Sequence, residues 1–287
     1  MESFLLASPN FSDILPPNFE IKKFPDGESY VLVPQLNELK GKRVVILHRL
    51  FPGQDSCIFQ LLQLISVLKP VAKEVAAVVP YLPYARQDKI EREGEACGAK
   101  MLCETLKSAG LGRLITFDCH FANGPGELEF GGLKIENRTM APHLLGHVKP
   151  RVKDPLLLSI GKRTEYMLGG SRGAGCISKR RSGFTETDTL FRRNTSQKLE
   201  CDVKGRNVII VEDVIAGGST MAGAAQACRE SGAKSVICTA VHGVLAGNAF
   251  DRIRAAGAKE VVVTDTVPGP AAVVGITSEL KDLLPVA

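Results

Sequence analysis

The 287-residue sequence contains no CxxC pair, no low-complexity stretch, no large excess of charge of either sign and no long apolar run. Each absence excludes something. Eight cysteines are present, at positions 57, 97, 103, 119, 176, 201, 228 and 238, but their spacing argues against a zinc ribbon or a dithiol redox motif. Several sit inside apolar runs, Cys238 in SVICTAV for example, where a free thiol behaves as a small hydrophobe. Reduced, buried cysteines suit the cytosol. No stretch approaches the roughly 18–20 apolar residues of a membrane span. The short FLLA run near the N-terminus lacks the basic segment of a signal peptide. The expectation is a soluble, cytoplasmic protein without a membrane partner. The formal charge of +5, from 36 basic and 31 acidic residues, is too small to mark a nucleic-acid binder. Local positive charge would still suit a polyphosphate ligand.

What is present is the rhythm of an α/β protein. The length fits one large domain or two of about 140 residues. Apolar runs of strand length fall at Phe4–Ala7, Val44–Leu47, Val75–Val79, Leu114–Phe117, Leu156–Ser159, Gly175–Ile177, Val208–Val211, Val236–Val241 and Val261–Thr264. They lack polar alternation, which predicts parallel strands covered on both faces. Helical patterns lie between them at Ser56–Leu68, Ala96–Ser108, Met221–Ser231 and Asn248–Ala256. The stretch from Ala141 to Asp154, with its histidines and prolines, reads as a linker between two halves, 1–142 and 143–287. A polar stretch from Lys179 to Lys204 reads as a long mobile excursion, and such loops inside compact domains are usually functional or disordered.

The most informative segment is VIIVEDVIAGGST, residues 208–220. An apolar strand delivers Glu212 and Asp213, then a turn of small residues (Ala216, Gly217, Gly218), then the hydroxyls Ser219 and Thr220, which can cap the helix that begins near Met221. The glycines let the backbone approach a phosphate, and N–H groups at a helix start favour an anion. Acids at the strand end can accept hydrogen bonds from sugar hydroxyls. The plain alternative, a tight βα turn with two solvated acids, leaves their joint arrival unexplained.

This segment is similar to the phosphoribosyl-binding loop of type I phosphoribosyltransferases and of ribose-phosphate pyrophosphokinases (PRPP synthetases). Further segments resemble the synthetases in particular, in their order along the chain: FPDGE (24–28), YLPYARQDK (81–89), FDCH (117–120), SKRR (178–181), AVHGVLAGNAFDRI (240–253) and VVVTDTVP (261–268). The resemblance implies two tandem type I phosphoribosyltransferase-like α/β domains with mainly parallel sheets, the first on the ATP side and the second on the ribose-5-phosphate side. It implies transfer of pyrophosphate from Mg–ATP to ribose 5-phosphate, giving PRPP and AMP. Arg86, Gln87 and His120 would hold ATP, with His120 on the Mg2+ side. Phe24, Asp26 and Glu28 would reach adenine across a subunit interface, so that a homodimer is the minimum assembly and a hexamer a further option. Glu212, Asp213, Ala216, Gly217, Gly218, Ser219 and Thr220 would hold the sugar phosphate. Lys179 and Arg181 would supply charge from a closing loop.

Plain readings stand beside these. FPDGE alone is a turn, Arg86 alone a surface arginine, a lone histidine is commonly structural, and SKRR alone is a solvated basic run. His242, Asp265 and the cysteines read as structural. Three departures from the family pattern also bear on function. Gly161 stands where the S-P-D-x-G-G segment carries an aspartate, with Glu165 a conceivable substitute. Ala216 and Gly217 replace an aspartate and a threonine of D-D-x-x-D-T-G-G-T, and Glu212 its first aspartate. The segment after RQD is less basic. A non-catalytic associated subunit therefore stays open as an alternative, and an ordinary phosphoribosyltransferase fits less well.

Overall fold

The computed structural model describes residues 3–170, 175–187 and 190–283, with the side chains at 179–197 outside that description. Two compact units divide the chain. One takes the residues up to Thr139 together with those from Thr277 onward, and the other takes Met140–Ile276.

The first unit contains β1 (Ser3–Ala7), β2 (Glu20–Lys23), β3 (Ser29–Leu32), β4 (Arg43–Leu47), helix α1 (Gln54–Leu68), β5 (Glu74–Val78), α2 (Gly98–Ala109), β6 (Arg113–Phe117), β7 (Gly126–Phe130) and β8 (Leu133–Arg138). Six of these strands form a sheet in the order β1-β4-β5-β6-β8-β7, with β7 antiparallel at one edge and the others parallel. The unbroken apolar run of β4 is explained by burial on both faces: Val44 and Ile46 on one side and Val45 and Leu47 on the other are all closed to solvent. α1 covers one face with Leu61, Leu64, Ile65 and Leu68, the i, i+3, i+4, i+7 stripe of an amphipathic helix. Each of those side chains contributes about 1.5–3 kcal/mol through burial. β2 and β3 form a separate antiparallel hairpin, joined to α1 where Gln60 Nε2 donates to Ser29 Oγ (3.2 Å) and Gln63 Nε2 to Ser29 O (3.0 Å).

The second unit contains α3 (Ala141–Val148), β9 (Pro155–Ile160), β10 (Gly175–Thr187), β11 (Leu190–Leu199), β12 (Asn207–Ile215), α4 (Ser219–Glu230), β13 (Ser235–Gly243), α5 (Ala249–Ala255), β14 (Glu260–Thr264) and β15 (Ala272–Val274). Its sheet runs β11-β10-β9-β12-β13-β14-β15, parallel apart from β11. α4 and α5 pack Met221, Ala225, Cys228 and Ile253 against Val208, Ile210, Val236 and Cys238.

Three expectations are corrected. The stretch read as a linker begins with α3, whose Pro142 sits in the first turn, where its missing N–H costs nothing; Ala141, Leu144, Leu145 and Val148 are buried. The polar excursion after Lys179 is a β-ribbon in its backbone, with β10 and β11 paired from Ile177–Leu199 to Thr187–Leu190 and a register shift between Arg181 and Gly183. The Thr and Phe content of residues 184–187 and 190–191 suits a strand. Finally, the chain from Thr277 onward belongs with the first unit. Arg138 donates to both carboxylate oxygens of Asp282 (each 2.7 Å) and to Glu279 O, which holds that segment down. The Arg138 hydrogen bonds keep the Asp282 carboxyl below its ordinary pKa.

Candidate active site

In the first unit, the loops that follow β4, β5 and β6 all leave the same edge of the sheet, because those strands are parallel. Arg86 and Gln87 lie in the loop after β5 and are exposed. Gln87 N–H donates to Tyr84 O (2.7 Å), Ala99 N–H donates to Gln87 O (3.2 Å), and the Gln87 side chain lies over Gly98 at the start of α2. Tyr84 has a left-handed backbone (φ 62°), and its hydroxyl donates to Asp55 in the first turn of α1. That hydrogen bond, with some burial, raises the Tyr84 pKa.

Asp118 and His120 follow β6, at the edge that also carries Arg86. Asp118 is fully buried and also has a left-handed backbone (φ 36°). The Thr139 hydroxyl donates to its carboxylate (2.7 Å), its N–H donates to Arg138 O (2.9 Å), and Cys119 N–H donates to Asn137 Oδ1 (2.9 Å). His120 is half-buried beside this fixed turn. Left-handed non-glycine residues cost energy and persist where the surroundings impose them, commonly at functional sites. Tyr84 precedes Arg86, and Asp118 precedes His120, by two residues each.

The FPDGE segment forms the turn of the β2–β3 hairpin. Phe24 N–H donates to Glu28 O (2.8 Å), Gly27 N–H to Phe24 O (2.9 Å), and Glu28 N–H to Asp26 Oδ1 (3.1 Å). Phe24 is half-exposed and meets Tyr30 edge to face, with ring centroids 5.7 Å apart. The turn therefore presents an aromatic ring and two carboxylates to solvent.

In the second unit, β12 runs to Ile215, so Glu212 and Asp213 lie within the strand and are buried, not at its end as expected. The reason is the register. β12 loses its β9 neighbour after Val211–Ser159 but stays paired with β13 through Ile215–Gly243, so both acids project past β9. Asp213 Oδ1 accepts from Val214 N–H (2.7 Å). Ala216 and Gly217 make the turn, and Gly218, with φ 76°, is the residue that caps α4. Ser219 and Thr220 are the first two helical residues, so Gly218 and not either hydroxyl residue stands at the cap position. The N–H groups of the helix start lie beside this turn. Leu245, also left-handed (φ 46°), lies in the segment that packs on this turn.

The departures have structural counterparts. Gly161 ends β9 with φ 85° and ψ 164°, a region essentially reserved for glycine, so an aspartate there would be strained. Glu165 is exposed on the following 3-10 turn. Lys179 and Arg181 lie in β10, and their side chains fall outside the described residues. His242 Nδ1 is 2.9 Å from the Thr266 hydroxyl in a buried setting, and Asp265 accepts from Ile276 N–H (2.8 Å), both contacts within the fold. The cysteines are free thiols, most of them buried, and burial pushes Cys103 and Cys228 up to about 12, which suits packing and not nucleophilic work. Among the described residues no three His, Cys, Asp or Glu side chains gather as a metal cage, and no helix is long and apolar enough to cross a membrane. Sequence reasoning missed Arg252, which reaches the 216–218 turn from α5, and Asn248, which accepts from its guanidinium at the start of that helix; their i, i+4 spacing was the available signal.

Two family models match the chain: one described as the N-terminal domain of ribose phosphate pyrophosphokinase, over residues 12–110, and one described as a phosphoribosyl synthetase-associated domain, over residues 188–281. Ribose-phosphate pyrophosphokinase from Sulfurisphaera tokodaii is 33% identical over 260 residues, covering 87% of this chain and 84% of that protein. The chain belongs to the ribose-phosphate pyrophosphokinase family. The pyrophosphokinase from Pyrococcus abyssi is likewise 33% identical, over 93% of this chain and 90% of its own. The crystal structure of phosphoribosylpyrophosphate synthetase from Mycobacterium smegmatis superposes with a TM-score of 0.80 at 26% identity, covering 99% of this chain and 97% of that one. The expected α/β pyrophosphokinase fold is thus borne out, and the β10–β11 ribbon and the displaced acids are features of one of its members.

Proposed function

We propose that this chain is a ribose-phosphate pyrophosphokinase that transfers pyrophosphate from ATP to ribose 5-phosphate. The observation that carries the reading is the phosphate turn, Ala216–Thr220, preceded by two carboxylates, in a chain that matches pyrophosphokinases along nearly their whole length. The anomeric oxygen of ribose 5-phosphate attacks the β-phosphorus of ATP, the bond from that phosphorus to the α-phosphate oxygen breaks, and AMP leaves. Arg86 and Gln87 hold the nucleotide phosphates, Arg86 through a charge-assisted contact. Phe24 stacks on adenine, with Asp26 and Glu28 beside it. Glu212 and Asp213 accept hydrogen bonds from the ribose hydroxyls while the turn holds the 5-phosphate. Lys179 and Arg181 offset charge as the pyrophosphoryl group moves.

Mg2+ prefers oxygen ligands and usually takes one or two from protein, the rest from phosphates and water. His120 stands at the nucleotide edge and offers one protein ligand, whereas Asp118 is fully buried with its carboxylate held by Thr139. No all-protein cage is present among the described residues, so phosphate and water oxygens would supply the rest. Bound there with ATP, the ion would neutralise phosphate charge. The exposed hairpin turn supports a homodimer as the minimum unit, with adenine contacts crossing it.

The alternative of a non-catalytic subunit rested on Gly161; the named relatives are matched over 84–90% of their length, which favours the enzyme. The test is AMP formation by the purified protein with Mg–ATP, with and without ribose 5-phosphate. AMP that depends on ribose 5-phosphate is expected. ATP binding with no such AMP would return the chain to the non-catalytic reading.

A further inference from the structure

The phosphate turn is held from one side by the segment that follows β13. Leu245 N–H donates to Ile215 O and Ala246 N–H to Ala216 O, both at 3.0 Å. The third successive carbonyl, Gly217 O, accepts from Arg252 Nη1. Arg252 Nη2 in turn donates to Asn248 Oδ1 (2.7 Å), one helical turn earlier. Ala249 closes the space beside Gly218, where an added Cβ would stand 2.9–3.0 Å from its Cβ, Cα and O atoms.

In a planar trans peptide, a carbonyl and the N–H that follows it point in opposite directions. Tying the carbonyls of residues 215, 216 and 217 to this segment therefore turns the N–H groups of Ala216, Gly217 and Gly218 to the other side. Successive N–H groups turned together make an anion-binding concavity. The last of the three peptides is the vulnerable one. It joins two glycines, so no side chain resists a flip of its plane. A flip would exchange the Gly218 N–H for the Gly217 carbonyl oxygen and present negative charge where a donor had been. The first two peptides are fixed by backbone partners; only this one depends on a side chain.

We propose that Arg252, oriented by Asn248, is a positioning residue that locks the Gly217–Gly218 peptide with its N–H toward the sugar phosphate. The inference rests on the reading of residues 216–220 as the phosphate site. One departure from the family pattern bears on this: Gly217, where the family segment has threonine, loosens the peptide, while Asn248 supplies the acceptor that aims the guanidinium.

The test measures calorimetric affinity for ribose 5-phosphate, and KM for both substrates, in Arg252→Met, Asn248→Ala, Thr220→Ala and the double variant Arg252→Met/Gly217→Ala. Arg252→Met is expected to weaken ribose 5-phosphate binding about 10–100-fold, the loss of one hydrogen bond from a charged donor. Its KM for ATP should stay within about twofold, and Asn248→Ala should give a smaller loss in the same direction. Gly217 lacks a left-handed φ and has nothing within 4 Å of an added Cβ, so alanine fits there and restricts the flip. The double variant should therefore recover part of the lost affinity, which a merely structural role for Arg252 would not allow. Unchanged ribose 5-phosphate affinity in both Arg252→Met and Asn248→Ala, an equal loss for ATP, or no recovery in the double variant would overturn the proposal. Thr220→Ala separates it from the underlying reading. Unchanged affinity in that variant too would sink the phosphate site itself, whereas weakened binding there with unchanged Arg252→Met would sink the positioning role alone.

Discussion

The two units present their candidate binding groups by different means. In the first, the groups are side chains: Arg86, Gln87 and His120 stand on loops whose shape is imposed by left-handed residues at Tyr84 and Asp118. In the second, most of the groups at the turn are backbone N–H donors, and what matters is how the peptide planes are held. A side-chain site names its residues, so substitution there removes a contact outright. A backbone site tolerates replacement at Ala216 and Gly217 so long as its carbonyls stay tied. On the proposed reading, the departures at Ala216 and Gly217 leave the carbonyl ties of the turn in place.

The comparison can be broken most severely at Gly218. Valine there would combine a left-handed φ of 76° with a Cβ 2.9–3.0 Å from Ala249, including its backbone. The expected cost is about 2–4 kcal/mol, read from chemical denaturation, with ribose 5-phosphate binding lost and the first unit's ATP affinity retained. Parallel loss of ATP binding would show that the two sites are not separable.

The next largest effect is one of pH, in the first unit. His48 is buried, with Nε2 on Cys57 O at 3.1 Å and Nδ1 without a partner; burial lowers its pKa to about 4, opposed by that carbonyl. The unfolded histidine binds a proton near pH 6.5, so its contribution is fully present above that pH and is lost as pH falls from about 6.5 to 4. The loss amounts to at most about 3 kcal/mol, and His48→Leu should flatten this part of a stability-against-pH curve. An unaltered slope in that variant would place the acid sensitivity elsewhere.

Arg86→Ala should weaken ATP about 10–100-fold, through one lost charge-assisted contact, and leave ribose 5-phosphate affinity within about twofold. Comparable loss for both substrates would remove the division of labour. The smallest effect is expected from Gly161→Asp. Restoring the family aspartate should lower stability by about 1–3 kcal/mol and leave ribose 5-phosphate affinity no better, because the backbone at φ 85° and ψ 164° does not suit it. A gain in affinity would show instead that the strand end adapts.

Much of this was legible in the sequence, for reasons that can be given residue by residue. Continuous apolar runs such as RVVIL and NVIIV specify parallel strands buried on both faces, and the stripe Leu61, Leu64, Ile65, Leu68 specifies which side of α1 faces the core. The β2–β3 hairpin and β7–β8 were not legible, because EIKK and GELEF are short and expose charge, and LKIENR carries charged residues along an inner strand that lacks a continuous apolar run. α3 was hidden by a proline that helices accept in their first turn.

By itself, then, the sequence determined the α/β class and the positions of most inner strands, because hydrophobic period acts locally, while the candidate site residues came from the ordered motifs that resemble the family. Only the tertiary structure decided that Glu212 and Asp213 lie inside β12, that Thr277 onward returns to the first unit, and that Arg252 clamps a peptide 35 residues away. Those outcomes depend on register between strands and on which helix packs beside which turn, and such long-range contacts leave no period in the chain to read.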